Sequence, residues 1–151
     1  MGALITLLST GCYVGYTPRA PGTAGSLLGL GLVWVLSGPL GLSLPYYLLI
    51  TGVLFLLGIW VSNRAEPLFG HDGPEIVIDE VTGVLIVFAG MPFDLFTVAA
   101  GFILFRVLDI WKPFPCDGMQ RLPGGLGVMM DDIVAAVYTY LLLLLTGWFL
   151  S

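Results

Sequence analysis

Two pairs of adjacent carboxylates, Asp79-Glu80 and Asp131-Asp132, interrupt long apolar stretches of this chain, and a fifth acid, Asp109, follows Arg106 by three residues. On a helix Asp79 and Glu80 point about 100° apart. They sit within Ile76-Val77-Ile78-Asp79-Glu80-Val81-Thr82-Gly83, where simple complementing of the positive helix end would account for one acid better than for two. Arg106 and Asp109 share a helical face, with Lys112 one turn further on. An intrahelical salt bridge is one account of them. The other has Asp109 reaching a metal ion while Arg106 and Lys112 neutralise phosphate oxygens, guanidinium as a fork of donors and ammonium as a point charge.

Further candidates lie near helix starts and in loops. Pro21-Gly22-Thr23-Ala24-Gly25-Ser26 leads into a helix, and the hydroxyls of Thr23 and Ser26 with the free amides there could cradle an anion or merely cap. Gly124-Gly125-Leu126-Gly127 precedes Asp131-Asp132, so a loop permitting close backbone approach is expected before a helix opening at Asp131, where one acid could be an N-cap. Asp72 and Arg19 are further candidates. His71 is the one histidine, which excludes a two-histidine phosphatase, and Cys116 to Arg121 is one residue short of a C-x5-R loop. No serine or cysteine has a visible base partner.

These side chains need elements to position them, and the chain supplies helices. Segments from about Thr23 to Leu36, Pro45 to Ser62, Ile76 or Asp79 to Met91, Leu95 to Trp111 and Asp131 to Leu150 are apolar and bounded by Gly, Pro or charged residues. Lys112 to Met130 reads as a Gly- and Pro-rich loop. Nothing repeats or alternates as strands do, and no linker divides the chain. The expectation is one all-α domain over residues 1–151, a polytopic membrane bundle of about four to six helices including a short amino-terminal one. Met1–Thr10 has no basic flank and no cleavage pattern, so it is expected to be retained.

The bilayer is the expected solvent: 58% of residues are hydrophobic and 10% charged, with a mean hydropathy of +1.00. No Asp, Glu, Lys or Arg occurs from Ala20 to Asn63 or from Ile133 to Ser151. Following the chain back and forth puts every charged residue except Asp94 on one face, and the positive-inside rule makes that face cytoplasmic. It holds nine carboxylates against five basic groups. Such an excess repels phosphate unless a cation intervenes, and hard oxygen ligands without paired His or Cys suit Mg²⁺, or Mn²⁺, better than zinc. The net charge of −5 argues against nucleic acid. Cys12 and Cys116 are expected to be free thiols.

Four blocks carry a resemblance: Gly15-Tyr16-Thr17-Pro18-Arg19-Ala20-Pro21-Gly22-Thr23-Ala24-Gly25-Ser26, Ile76-Val77-Ile78-Asp79-Glu80 with Gly83, Phe105-Arg106-Val107-Leu108-Asp109-Ile110-Trp111-Lys112-Pro113, and Gly124-Gly125-Leu126-Gly127 with Asp131-Asp132. In this order and spacing the chain resembles the phosphatidylglycerophosphatase A family of bacterial membrane lipid phosphatases. It departs at Ala136, where the family usually has Gly. The resemblance implies Mg²⁺-dependent hydrolysis of phosphatidylglycerophosphate to phosphatidylglycerol and phosphate, at the cytoplasmic side of the inner membrane.

The expected site then has Asp79, Glu80, Asp109, Asp131 and Asp132 as metal ligands and Arg106 and Lys112 at the phosphate, with Thr23 and Ser26. Asp79 or Asp132 is the candidate general base. The competing readings are a small ion-binding membrane transporter, which should carry acids near the midplane or on both sides, and a Mg²⁺-dependent lipid phosphotransferase, whose DG-x2-AR signature is absent.

Overall fold

The fold is organised around a short apolar helix that its neighbours enclose. The computed structural model describes the backbone of residues 2–150 and side chains to Gly147; within that range the chain forms α1 (Gly2–Ser9), α2 (Pro21–Ser37), α3 (Leu44–Phe69), α4 (Ile78–Val87), α5 (Leu95–Trp111), α6 (Cys116–Gln120) and α7 (Gly125–Leu150). Eight of the ten residues of α4 are buried. At roughly 1.5 Å per residue α4 reaches about 15 Å, half the hydrocarbon thickness of a bilayer. It is therefore enclosed by its neighbours and does not span. No strand occurs among the described residues.

Small residues let α2 approach α4. A β-carbon on Gly25 would lie 2.7 Å from Cβ of Val77, and one on Gly29 would lie 3.0 Å from Val81 O and Val84 Cβ. Glycine at both places lets the two backbones close on each other, the usual device where apolar helices pack without a hydrophobic driving force. Pro21 occupies the first turn of α2, where its missing N–H costs nothing.

Helices α3 and α7 are long and apolar enough to cross a membrane, over Leu44–Phe69 and Gly125–Gly147. They run antiparallel. The Gly125 N–H at the start of α7 donates to Asn63 Oδ1 near the end of α3 at 2.7 Å, and Tyr47 near the start of α3 donates from its hydroxyl to Leu85 O of α4 at 2.8 Å. The outer face of α3 leaves Leu48, Leu49, Val53 and Leu56 exposed, a surface suited to lipid. Between the helices, Val33, Leu36, Val84, Leu85, Phe88, Phe105, Ala135 and Ala136 form one core. Ala136 is fully buried there.

Helix α5 runs over the expected residues. Asp94 caps it, accepting from Thr97 N at 3.0 Å and from the Thr97 hydroxyl at 2.8 Å. Lys112 ends it in a left-handed conformation, φ 47°. Other boundaries differ from expectation. Helix α3 continues past Ser62 to Phe69, since Asn63-Arg64-Ala65-Glu66 contains no helix breaker, and it ends two residues after the internal Pro67. The expected loop after Lys112 contains α6, and α7 opens at Gly125, six residues before Asp131. The Asn63 side chain takes one of the first-turn amides of α7, so Gly125 and Gly127 lie within the helix and Gly124, at φ 65°, precedes it.

Candidate functional site

The acidic ends of the helices converge. Asp79 and Glu80 lie in the first turn of α4, Arg106 and Asp109 in the last two turns of α5 with Lys112 as its cap, and Asp131 and Asp132 in the second turn of α7. With Asp72, from the connection between α3 and α4, all of these line one cavity of about 270 Å³, whose wall also includes Pro21, Gly22 and Ile76. Six carboxylates thus face two cations. Because α7 begins at Gly125, neither Asp131 nor Asp132 is an N-cap, and both are 3% exposed.

The two cations are already held by acids. Arg106 Nη1 is 2.7 Å from Asp109 Oδ2 and 3.9 Å from Glu80 Oε1. It also donates to the Ser26 hydroxyl at 3.3 Å. Lys112 Nζ lies 2.5 Å from Asp131 Oδ2 and 3.5 Å from Asp72 Oδ2. Burial alone would lower the Lys112 ammonium, but the hydrogen bond and charge of Asp131 outweigh it and hold Lys112 above its usual range.

Ion pairing leaves much of the acid unsatisfied. Asp79 Oδ1, Glu80 Oε2, Asp131 Oδ1 and Asp132 Oδ2 are buried with no hydrogen-bond partner among the described residues, as is Arg106 Nε. Buried polar atoms are rarely left so. One oxygen each from Asp79, Glu80 and Asp132 lie within 4.8 Å of one another, and so do one each from Asp109, Asp131 and Asp132. The two groups share Asp132. A compact, hard, all-oxygen donor set of this kind fits Mg²⁺ or Mn²⁺.

Two expected phosphate contacts lie elsewhere. Ser26 is wholly buried, donating from its hydroxyl to Gly22 O at 2.9 Å while accepting from Arg106, so it steadies the guanidinium. Thr23 does not line the cavity. Arg19 stands outside it, in a neighbouring cavity. Three residues were not singled out from the sequence. Gly22 leaves room for Glu80 and Arg106, Gln120 of α6 donates to Asp72, and Asn63 anchors the start of α7. Only Gly22 carried a signal, as part of its Gly-rich block. Cys12 is an exposed free thiol and Cys116 a buried one.

A family model described as Phosphatidylglycerophosphatase A matches residues 7–146. Among similar curated proteins, one from Bacteroides thetaiotaomicron named "Putative phosphatidylinositol-3-phosphatase" is 39% identical, over 96% of this chain and 94% of its own length. Two named Phosphatidylglycerophosphatase A are comparably similar: that of Haemophilus influenzae is 41% identical over 89% of this chain and 83% of its own, and that of Escherichia coli 38% identical over 87% and 76%. No solved structure matches the chain.

Proposed function

Because the chain belongs to the phosphatidylglycerophosphatase A family, a family of phosphatases, we propose that it hydrolyses phosphatidylglycerophosphate to phosphatidylglycerol and phosphate in a Mg²⁺-dependent reaction at the cytoplasmic face of a bacterial inner membrane. The observation that carries this reading is the single cavity where two carboxylate groups sharing Asp132 stand beside Arg106 and Lys112. The arrangement suits a phosphate monoester only if a cation offsets the acids.

Asp79, Glu80, Asp109, Asp131 and Asp132 would hold that cation, one ion or two. When bound, Mg²⁺ supplies Lewis-acid polarisation of phosphoryl oxygens and lowers the pKa of an attacking water. Arg106 and Lys112 orient the phosphate, and Ser26 keeps the guanidinium in place. Asp79 or Asp132 accepts a proton from the water as its oxygen attacks phosphorus in line. The bond from phosphorus to the glycerol oxygen breaks, and that oxygen takes a proton to leave as an alcohol. The cytoplasmic orientation is supported by the five basic residues, all on the charged side of the chain's path.

A second reading is favoured by the Bacteroides relative, whose name refers to a phosphoinositide 3-phosphate. Both lipids present a phosphomonoester joined through a polyol to a phosphodiester. Purified protein in mixed micelles with each lipid, with and without Mg²⁺, separates them. The proposed reading requires faster phosphate release from phosphatidylglycerophosphate, abolished by EDTA and in Asp79→Asn and Asp132→Asn. Undiminished release in EDTA or in both variants would refute the site.

A further inference from the structure

A second cavity, of about 400 Å³, adjoins the acidic one. It is lined by the continuous run Gly15 to Arg19 with Pro74 and Glu75, and it shares Pro21 and Pro74 with its neighbour. We propose that this cavity receives the headgroup phosphodiester of the lipid substrate, with Arg19 as its counter-cation, while the phosphomonoester enters the acidic cavity. The inference rests on the phosphatase reading above and adds a residue that binds the second anion of the lipid.

Charge balance carries the argument. A lipid with a monoester and a diester phosphate must place two anions, and the two cations of the acidic cavity, already shared with its acids, are left to the monoester alone. Arg106 is engaged by Asp109 and Lys112 by Asp131. Elsewhere, Arg121 pairs with Asp117, and Arg64 lies over the Trp60 ring, 5.4 Å from its centroid. Arg19 alone among the basic residues has no ion pair, side-chain hydrogen bond or aromatic partner among the described residues. Its backbone is left-handed at φ 74°, a conformation a long side chain adopts only when its surroundings require it.

The location also fits a headgroup. Tyr16 stacks on Tyr13 with ring centroids 6.2 Å apart and meets Phe69 edge-on, and both tyrosines are exposed. Amphipathic rings of this kind gather at the membrane–water boundary, where phosphodiesters lie. Thr17 donates its hydroxyl to Val14 O at 2.7 Å, which leaves its oxygen lone pairs, with the Glu75 carboxylate, to accept from polyol hydroxyls. A guanidinium is well matched to the two free oxygens of a phosphodiester.

The test is kinetic, on full-length protein in mixed micelles with phosphatidylglycerophosphate. Arg19→Asn removes the charge and is tolerated at positive φ, and Arg19→Lys restores the charge. Loss of one charge-assisted contact is expected to raise KM about tenfold in Arg19→Asn with kcat within about twofold, and Arg19→Lys should recover most of it. Inhibition by inorganic phosphate, which occupies only the monoester cavity, should be unchanged. An unaltered KM, a KM that rises together with the inhibition constant of phosphate, or a fall confined to kcat would overturn the proposal. If the unmodified protein releases no phosphate from this lipid, it is the phosphatase reading that fails instead.

Discussion

A β-carbon on Gly22 would stand 2.9 Å from Arg106 Nη2, and nearer still to Glu80 Oε1. The atoms it meets are the ends of flexible side chains, so an alanine there is accommodated by moving the guanidinium and the carboxylate and not the backbone. Gly22→Ala should therefore leave the melting temperature within about 2 °C. Phosphate release should fall at least about tenfold, the equivalent of ~1.4 kcal/mol in the barrier. A thermal melt in detergent beside an activity assay checks both, and a large loss of stability would contradict this account.

Lys112 and Asp131 join the end of α5 to α7. Removing the ammonium in Lys112→Met leaves a 3% exposed carboxylate without its cation. A wholly buried pair broken in this way loses ~3–5 kcal/mol; since Lys112 is partly exposed, about 2 kcal/mol is expected. Adding Asp131→Asn should recover most of the stability without recovering activity. Equal stability of the single and double variants in chemical unfolding would mean that the pair is not coupled.

How far the site was legible in the sequence depended on which residues carried local signals. The two acid pairs and Arg106-Asp109-Lys112 were readable because charges in apolar sequence are costly and have few bland explanations, and they do meet in one cavity. Helix α5 was readable because Pro92 and Pro113 bracket it. The start of α7 was not: Gly124-Gly125-Leu126-Gly127 has the composition of a loop, and only the side chain of Asn63, far away in sequence, makes Gly125 the first turn of a helix. The enclosure of α4 was legible only through its shortness, since an all-round apolar segment has no periodicity to say whether protein or lipid surrounds it. Ser26 looked like a phosphate ligand because its hydroxyl is near a helix start, but its burial behind Arg106 is a tertiary fact.

The crowded acids should make the site a stability liability without its cation. Asp132 Oδ2 is buried without a partner, and oxygens of Asp79, Glu80, Asp109 and Asp131 lie close by. Asp132→Asn removes one negative charge and offers an amide donor to the remaining acids. In EDTA it should melt several degrees above the unmodified protein, a gain of about 1 kcal/mol, while phosphate release is lost. Mg²⁺ at about one hundred times its dissociation constant should stabilise the unmodified protein by ~2.7 kcal/mol and the variant much less. Scanning fluorimetry with and without Mg²⁺ reads all of these, and an equal Mg²⁺ response in the two proteins would remove Asp132 from the ligand set.

His71 should give the connection between α3 and α4 a pH dependence. Its Nδ1 meets Glu66 and its Nε2 lies 3.0 Å from Gln120 O. Two acceptors on one ring require both nitrogens to be donors, which only the protonated imidazole provides. The Glu66 hydrogen bond raises the pKa of His71, helped by the Gln120 carbonyl. A raised folded-state pKa gives stability that is fully present below the ordinary histidine range and is lost as pH rises through the raised value. The ring is half exposed, so the effect is small. Asp72, the neighbour of His71, also contacts Lys112 and Gln120, and loosening this connection should be felt at the cavity wall. Hydrogen exchange across residues 70–75 should therefore speed up between about pH 5.5 and pH 8.5 beyond the intrinsic chemical rate, and His71→Ala should show the faster exchange at both. Protection that is equal in the variant and the unmodified protein at the lower pH would show that the imidazolium does not hold the segment.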